Sequence, residues 1–88
     1  MPPITYTIRK WESPDTTVHV KCDLTPAEVA YLYAKERCNF LDNIDSGVFI
    51  EVEKYGLFYI ECHQPENTLH MCEVSEIEAK QILAKHLN

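Results

Sequence analysis

The sequence predicts an α+β domain of order ββαβββα, an antiparallel sheet of four or five strands with two helices packed on one face. Three observations carry that expectation. Two runs with a period of two precede the first helix signal. Two apolar runs flank a glycine-containing turn near residue 55, as in a hairpin. Two capping boxes, Thr25-Pro26-Ala27-Glu28 and Ser75-Glu76-Ile77-Glu78, each open an amphipathic stretch.

Each element has its own local reason. From Ile4 to Trp11, Ile4, Tyr6 and Ile8 alternate with Thr5, Thr7 and Arg9, which suits a half-buried strand. Ser13-Pro14-Asp15 is a turn signal. From Thr16 to Cys22, Val18, Val20 and Cys22 share one face, with Thr17, His19 and Lys21 on the other, so the two runs should pair as a hairpin. Thr25 is the expected N-cap of a helix reaching about Asn39, with Pro26 at its first position. Its expected buried stripe is Ala30, Ala34, Cys38 and Leu41, flanked by Val29 and Tyr33.

A second hairpin is expected from Val48 to Lys54 and from Leu57 to His63. A three-residue loop, Lys54-Tyr55-Gly56, sets Val52 opposite Phe58, Ile50 opposite Ile60 and Val48 opposite Cys62, gathering the aliphatics on one face. It also gives Gly56 the left-handed turn position. Leu69 to Val74 is a further strand in which either Leu69 and Met71 or Cys72 and Val74 could face inward. The last helix should run to Leu87 and bury Ile77, Ile82, Leu83 and Leu87.

Eighty-eight residues suffice for one domain and are too few for two. The formal net charge is −6. Residues 1–40 carry five acids and five bases, whereas residues 41–88 carry nine acids and three bases. An acidic second half repels phosphate backbones, so direct nucleic-acid binding is disfavoured and a basic protein surface is favoured. Arg9 and Lys10 interrupt any apolar secretory stretch, and no run is long enough to span a membrane. A cytoplasmic location with four reduced cysteines is expected.

Two glycines exclude a glycine-rich phosphate loop. Calcium is excluded at Asp42-Asn43-Ile44-Asp45-Ser46-Gly47, because Ile44 stands where an EF-hand loop needs an oxygen ligand. Cys62, His70 and Cys72 would share a sheet face if their strands paired in an even register, which makes a zinc- or thiol-dependent protein the alternative reading. No local signature supports a nucleophile–base pair, so the sequence argues for binding over catalysis, without cofactor or metal.

With Ile50, Val52, Phe58 and Ile60 turned inward, alternation displays Phe49, Glu51, Glu53, Tyr59 and Glu61 on the reverse face. Asp42 and Asp45 should surround them. Rings among carboxylates are the composition of a protein-docking patch, here for a partner with a basic surface. A homodimer face is the competing use. If the partner's surface normally holds nucleic acid, the domain would act as a competitive inhibitor. In size, acidity and lack of motifs the chain is similar to phage-encoded anti-defence inhibitors such as anti-CRISPR proteins; no residue motif carries that likeness, so it places no site.

Overall fold

A computed structural model describes residues 2–38, 47–63 and 68–86. Its five strands are β1 (Ile4–Lys10), β2 (Val18–Cys22), β3 (Gly47–Val52), β4 (Gly56–His63) and β5 (Thr68–Val74). Its helices are α1 (Pro26–Arg37) and α2 (Glu76–His86). The strands form one sheet in the order β2-β1-β3-β4-β5, antiparallel at every pairing. The α+β class and the ββαβββα order therefore stand as predicted.

Local chemistry explains where the elements begin. The hydroxyl of Thr25 accepts the Glu28 N–H at 3.2 Å, and the Glu28 carboxylate accepts the Thr25 N–H at 3.1 Å. Ser75 and Glu78 repeat this reciprocal cap, both bonds at 3.1 Å. Each box satisfies two N–H groups that a helix start leaves without partners. Pro14–Thr16 forms a single 3-10 turn between β1 and β2, where the turn signal lies.

One face of the sheet carries the main core. Ile8, Ile50, Val52 and Ile60 are almost fully buried there beneath Val29, Ala30, Tyr33 and Ala34 of α1. Burial of one such aliphatic side chain is worth about 1.5–3 kcal/mol. Ala30 and Ala34 have no accessible surface, so the helix backbone lies close to the strands. Two buried rings anchor the edges of this core through their hydroxyls. Tyr6 donates to the Leu24 carbonyl at 2.6 Å and Tyr33 to the Thr16 carbonyl at 2.7 Å.

The placement of the helices differs from the expectation that both share one face. Phe49, Leu57, Tyr59 and Val74 form a second buried cluster with Ala79 of α2, joined by Trp11 and Ile82. These residues have the opposite parity to Ile50, Phe58 and Ile60, so α2 covers the other side of β3, β4 and β5. The physical reason is the near-continuous apolar run Leu57-Phe58-Tyr59-Ile60, which leaves both faces of β4 in need of cover.

Within α2, Ala79 is buried and Ile82 half-buried, while Ile77 is 70% and Leu83 37% exposed. The expected burial of Ile77 and Leu83 is thus incorrect. At about 100° per residue, Ile77 points roughly 200° away from Ala79, so a helix seated on Ala79 turns Ile77 outward. Leu41 and Leu87, also expected to be buried, lie outside the described residues.

The β3–β4 register is corrected by two residues. Val52 pairs with Gly56, Ile50 with Phe58 and Val48 with Ile60. The three-residue connection is therefore Glu53-Lys54-Tyr55, closed by the Tyr55 N–H donating to the Val52 carbonyl at 2.9 Å. Lys54, not Gly56, takes the left-handed conformation at φ 74°, while Gly56 opens β4 at φ 148°. A slip of two keeps every side chain on its face. It also lets the Glu53 N–H reach the Thr7 carbonyl at 2.9 Å and sets the Tyr55 ring edge-on to Tyr6 at 5.2 Å.

Candidate functional site

The face covered by α2 is where the sequence places a docking surface, and the structure divides its residues. Phe49 and Tyr59 are 8% and 7% exposed, beneath α2 and not open to a partner. Their rings lie 4.8 Å apart. An open sheet face with these two aromatic anchors does not exist. Asp42 and Asp45 lie outside the described residues.

Glu51 and Glu53 remain accessible and converge on Arg9, which alternation in β1 places on this same face. Arg9 Nη2 lies 2.7 Å from Glu53 Oε2 and Nη1 lies 3.3 Å from Glu51 Oε1, while Nε donates to Thr17 Oγ1 at 3.1 Å. The hydrogen bond from Arg9 holds the Glu53 carboxyl below the ordinary carboxylate range. Two carboxylates about one guanidinium leave a local charge of −1.

Glu61 joins a second chain of contacts. Its Oε2 accepts the Tyr59 hydroxyl at 3.1 Å, and its Oε1 lies 2.8 Å from His63 Nε2. The His63 ring stacks on His70 of β5 with centroids 3.9 Å apart. Burial, with the bond to Glu61 second, pushes the Tyr59 hydroxyl up to about 12.

The register of β4 and β5 also decides the alternative reading. Cys62 pairs with Leu69, and Glu61 with His70, so the register is odd. Cys62 is buried on the α1 side, whereas His70 and Cys72 are exposed on the α2 side. Cys62, His70 and Cys72 therefore cannot converge on one ion. Among the described residues no group of three or more His, Cys, Asp or Glu side chains is arranged to hold a metal. Cys22, Cys38 and Cys72 are free thiols. In β5, Leu69 and Met71 pack towards the α1 core; of the other expected pair, Val74 is buried against α2 and Cys72 is exposed.

Among the described residues two concave features stand out, and neither is evident from sequence periodicity. An open recess of about 460 Å³ lies at the β3–β4 turn beside the start of α2. Trp11, Glu51, Lys54, Tyr55, Leu57 and Glu76 are among the residues that line it. Trp11 is half-buried, its ring packed edge-to-face on Phe49 at 5.4 Å, and its backbone N–H donates to the Phe49 carbonyl at 2.9 Å. Its odd position, two residues beyond Arg9, was the available signal that it belongs to this face. A smaller, mostly apolar groove of about 160 Å³ runs between edge strand β2 and α1.

A scan against protein-family models and searches of curated proteins and of solved structures yield no match for this chain. Among the described residues no helix is long and apolar enough to cross a membrane.

Proposed function

We propose that this chain is a small protein-binding domain, without catalysis of its own, that engages a basic surface of a partner through the recess beside α2. One observation carries the reading: Trp11 shares a recess with two carboxylates, Glu51 and Glu76. Tryptophan is the strongest aromatic partner for a cation, and carboxylates at the same opening favour a lysine or arginine side chain. The net charge of −6 would steer such a partner inward. Phe49 and Tyr59 have a supporting role, as the buried base on which Trp11 rests. Where the basic surface ordinarily holds nucleic acid, occupying it makes the domain a competitive inhibitor, the role suggested by its general likeness to anti-defence inhibitors.

The test uses the chain's single tryptophan as its own reporter. A short arginine-rich peptide is titrated while Trp11 fluorescence is followed. A saturable change that weakens with added salt is expected. Replacing Glu51→Gln together with Glu76→Gln should raise the dissociation constant about tenfold, since each tenfold is about 1.4 kcal/mol. A titration that does not saturate, or one indifferent to the double substitution, refutes the recess as the binding site.

A further inference from the structure

Among the described residues the sheet ends on one side at β2, whose one strand neighbour there is β1. An edge strand exposes a row of backbone N–H and C=O groups that can template another strand. On the α1 side of this edge, Val18, Val20 and Cys22 form one wall of a groove. Leu24 and, from α1, Leu32 and Tyr33 extend it, with Glu36 and Arg37 of α1 also in its lining. Two of these apolar side chains are open to solvent: Val20 is 37% exposed and Leu32 is 40% exposed. On the opposite side the same strand displays His19 and Lys21, beside Thr7 and Thr5 of β1. His19 Nδ1 lies 3.1 Å from Thr7 Oγ1. Lys21 is exposed and makes no ion pair among the described residues, while Arg9 nearby is already taken by Glu51 and Glu53.

From this arrangement we infer a second binding site, in which an extended peptide segment of a partner adds to β2 as a sixth strand. Its alternate side chains are apolar and enter the groove against α1. The intervening side chains are acidic and lie over Lys21 and His19. Backbone pairing supplies the attachment, and the two differently lined faces supply the choice of sequence. Five residues of β2 at about 3.3 Å each give a contact roughly 17 Å long. Directly opposed charges across a strand pair favour the acidic choice.

A second copy of the chain fits the edge poorly. Antiparallel pairing of two β2 strands about Val20 places Lys21 opposite His19 of the copy, twice. Centring the pair on Lys21 instead opposes two lysines. Each copy also carries a net charge of −6.

The experiment compares two labelled seven-residue peptides, one alternating valine with glutamate and one alternating valine with lysine, by fluorescence polarisation at physiological salt. The glutamate peptide should bind at least tenfold more tightly, although the overall acidity of the domain favours the lysine peptide. Val20→Asp should weaken binding at least tenfold with an unchanged melting temperature, because Val20 is already exposed. Lys21→Glu should reverse the preference between the peptides. Equal affinities, a preference for the lysine peptide, or no effect of Lys21→Glu would overturn the inference. So would a dimer in sedimentation that Val20→Asp dissolves, since the occupant would then be a second copy.

Discussion

Truncating Phe49 to alanine distinguishes a buried ring from an exposed docking residue. An exposed phenylalanine removed from a sheet face changes stability by no more than about 0.5 kcal/mol. A buried one costs about 3–5 kcal/mol, combining lost transfer energy with the cavity left behind. Phe49 is 8% exposed and contacts two rings, Trp11 at 5.4 Å and Tyr59 at 4.8 Å, each pair adding about 0.5–1.5 kcal/mol beyond area alone. The expected loss is therefore in the upper half of the 3–5 kcal/mol range. For a chain of this size each kcal/mol lowers the melting temperature by about 4–8 °C. Phe49→Ala should then melt at least about 16 °C below the wild type in circular dichroism, and Phe49→Leu should lose much less. A shift under about 4 °C for Phe49→Ala would mean that α2 does not cover this face.

Three further outcomes follow from particular contacts. A Cβ at Gly47 would collide with the ring of Tyr59, so Gly47→Ala should cost about 1–3 kcal/mol in urea unfolding, and the cost should shrink when Tyr59→Leu is also present. Lys54→Asn should raise the melting temperature by a few degrees, because asparagine tolerates the left-handed φ of 74° better than lysine does; a lower melting temperature would contradict that backbone assignment. Stability should also depend on pH at both extremes. Glu28 and Glu53 have folded values below the ordinary carboxylate range, so the unfolded chain binds more protons there; their contribution is present above about pH 4.5 and is lost as pH falls through the folded values. Tyr59 keeps its proton up to about pH 12, so between about pH 10 and 12 the folded chain binds more protons and stability falls as pH rises. Urea midpoints should therefore drop at both ends, and Tyr59→Phe should lessen the alkaline drop.

The legible parts of the fold were those written in local chemistry. The capping boxes at Thr25 and Ser75 depend on side chains three residues apart, and both helices start where those boxes place them. The alternation in β1 and β2 fixes their pairing because each strand has a single apolar face. Less legible was how many faces of the sheet need cover. Phe49 and Tyr59 read as outward residues only if β3 and β4 bury one side. The run Leu57-Phe58-Tyr59-Ile60 is what a strand buried on both sides looks like. That misreading moved two rings from the interior to a supposed docking surface, and with them went the first candidate site. Ala79, too small to stand out in a hydrophobic pattern, is the residue on which α2 rests. The recess at Trp11 and the groove beside β2 arise from tertiary juxtaposition and have no signature within a single element.

The central structural claim is that the sheet is covered on both sides, α1 over Ile50 and Ile60 and α2 over Phe49 and Tyr59. Nuclear Overhauser contacts from the methyl group of Ala79 test it most directly. They should reach ring or methyl protons of Phe49, Leu57, Tyr59 or Val74. Contacts to Ile50, Phe58 or Ile60 instead would put both helices on one face and contradict the account.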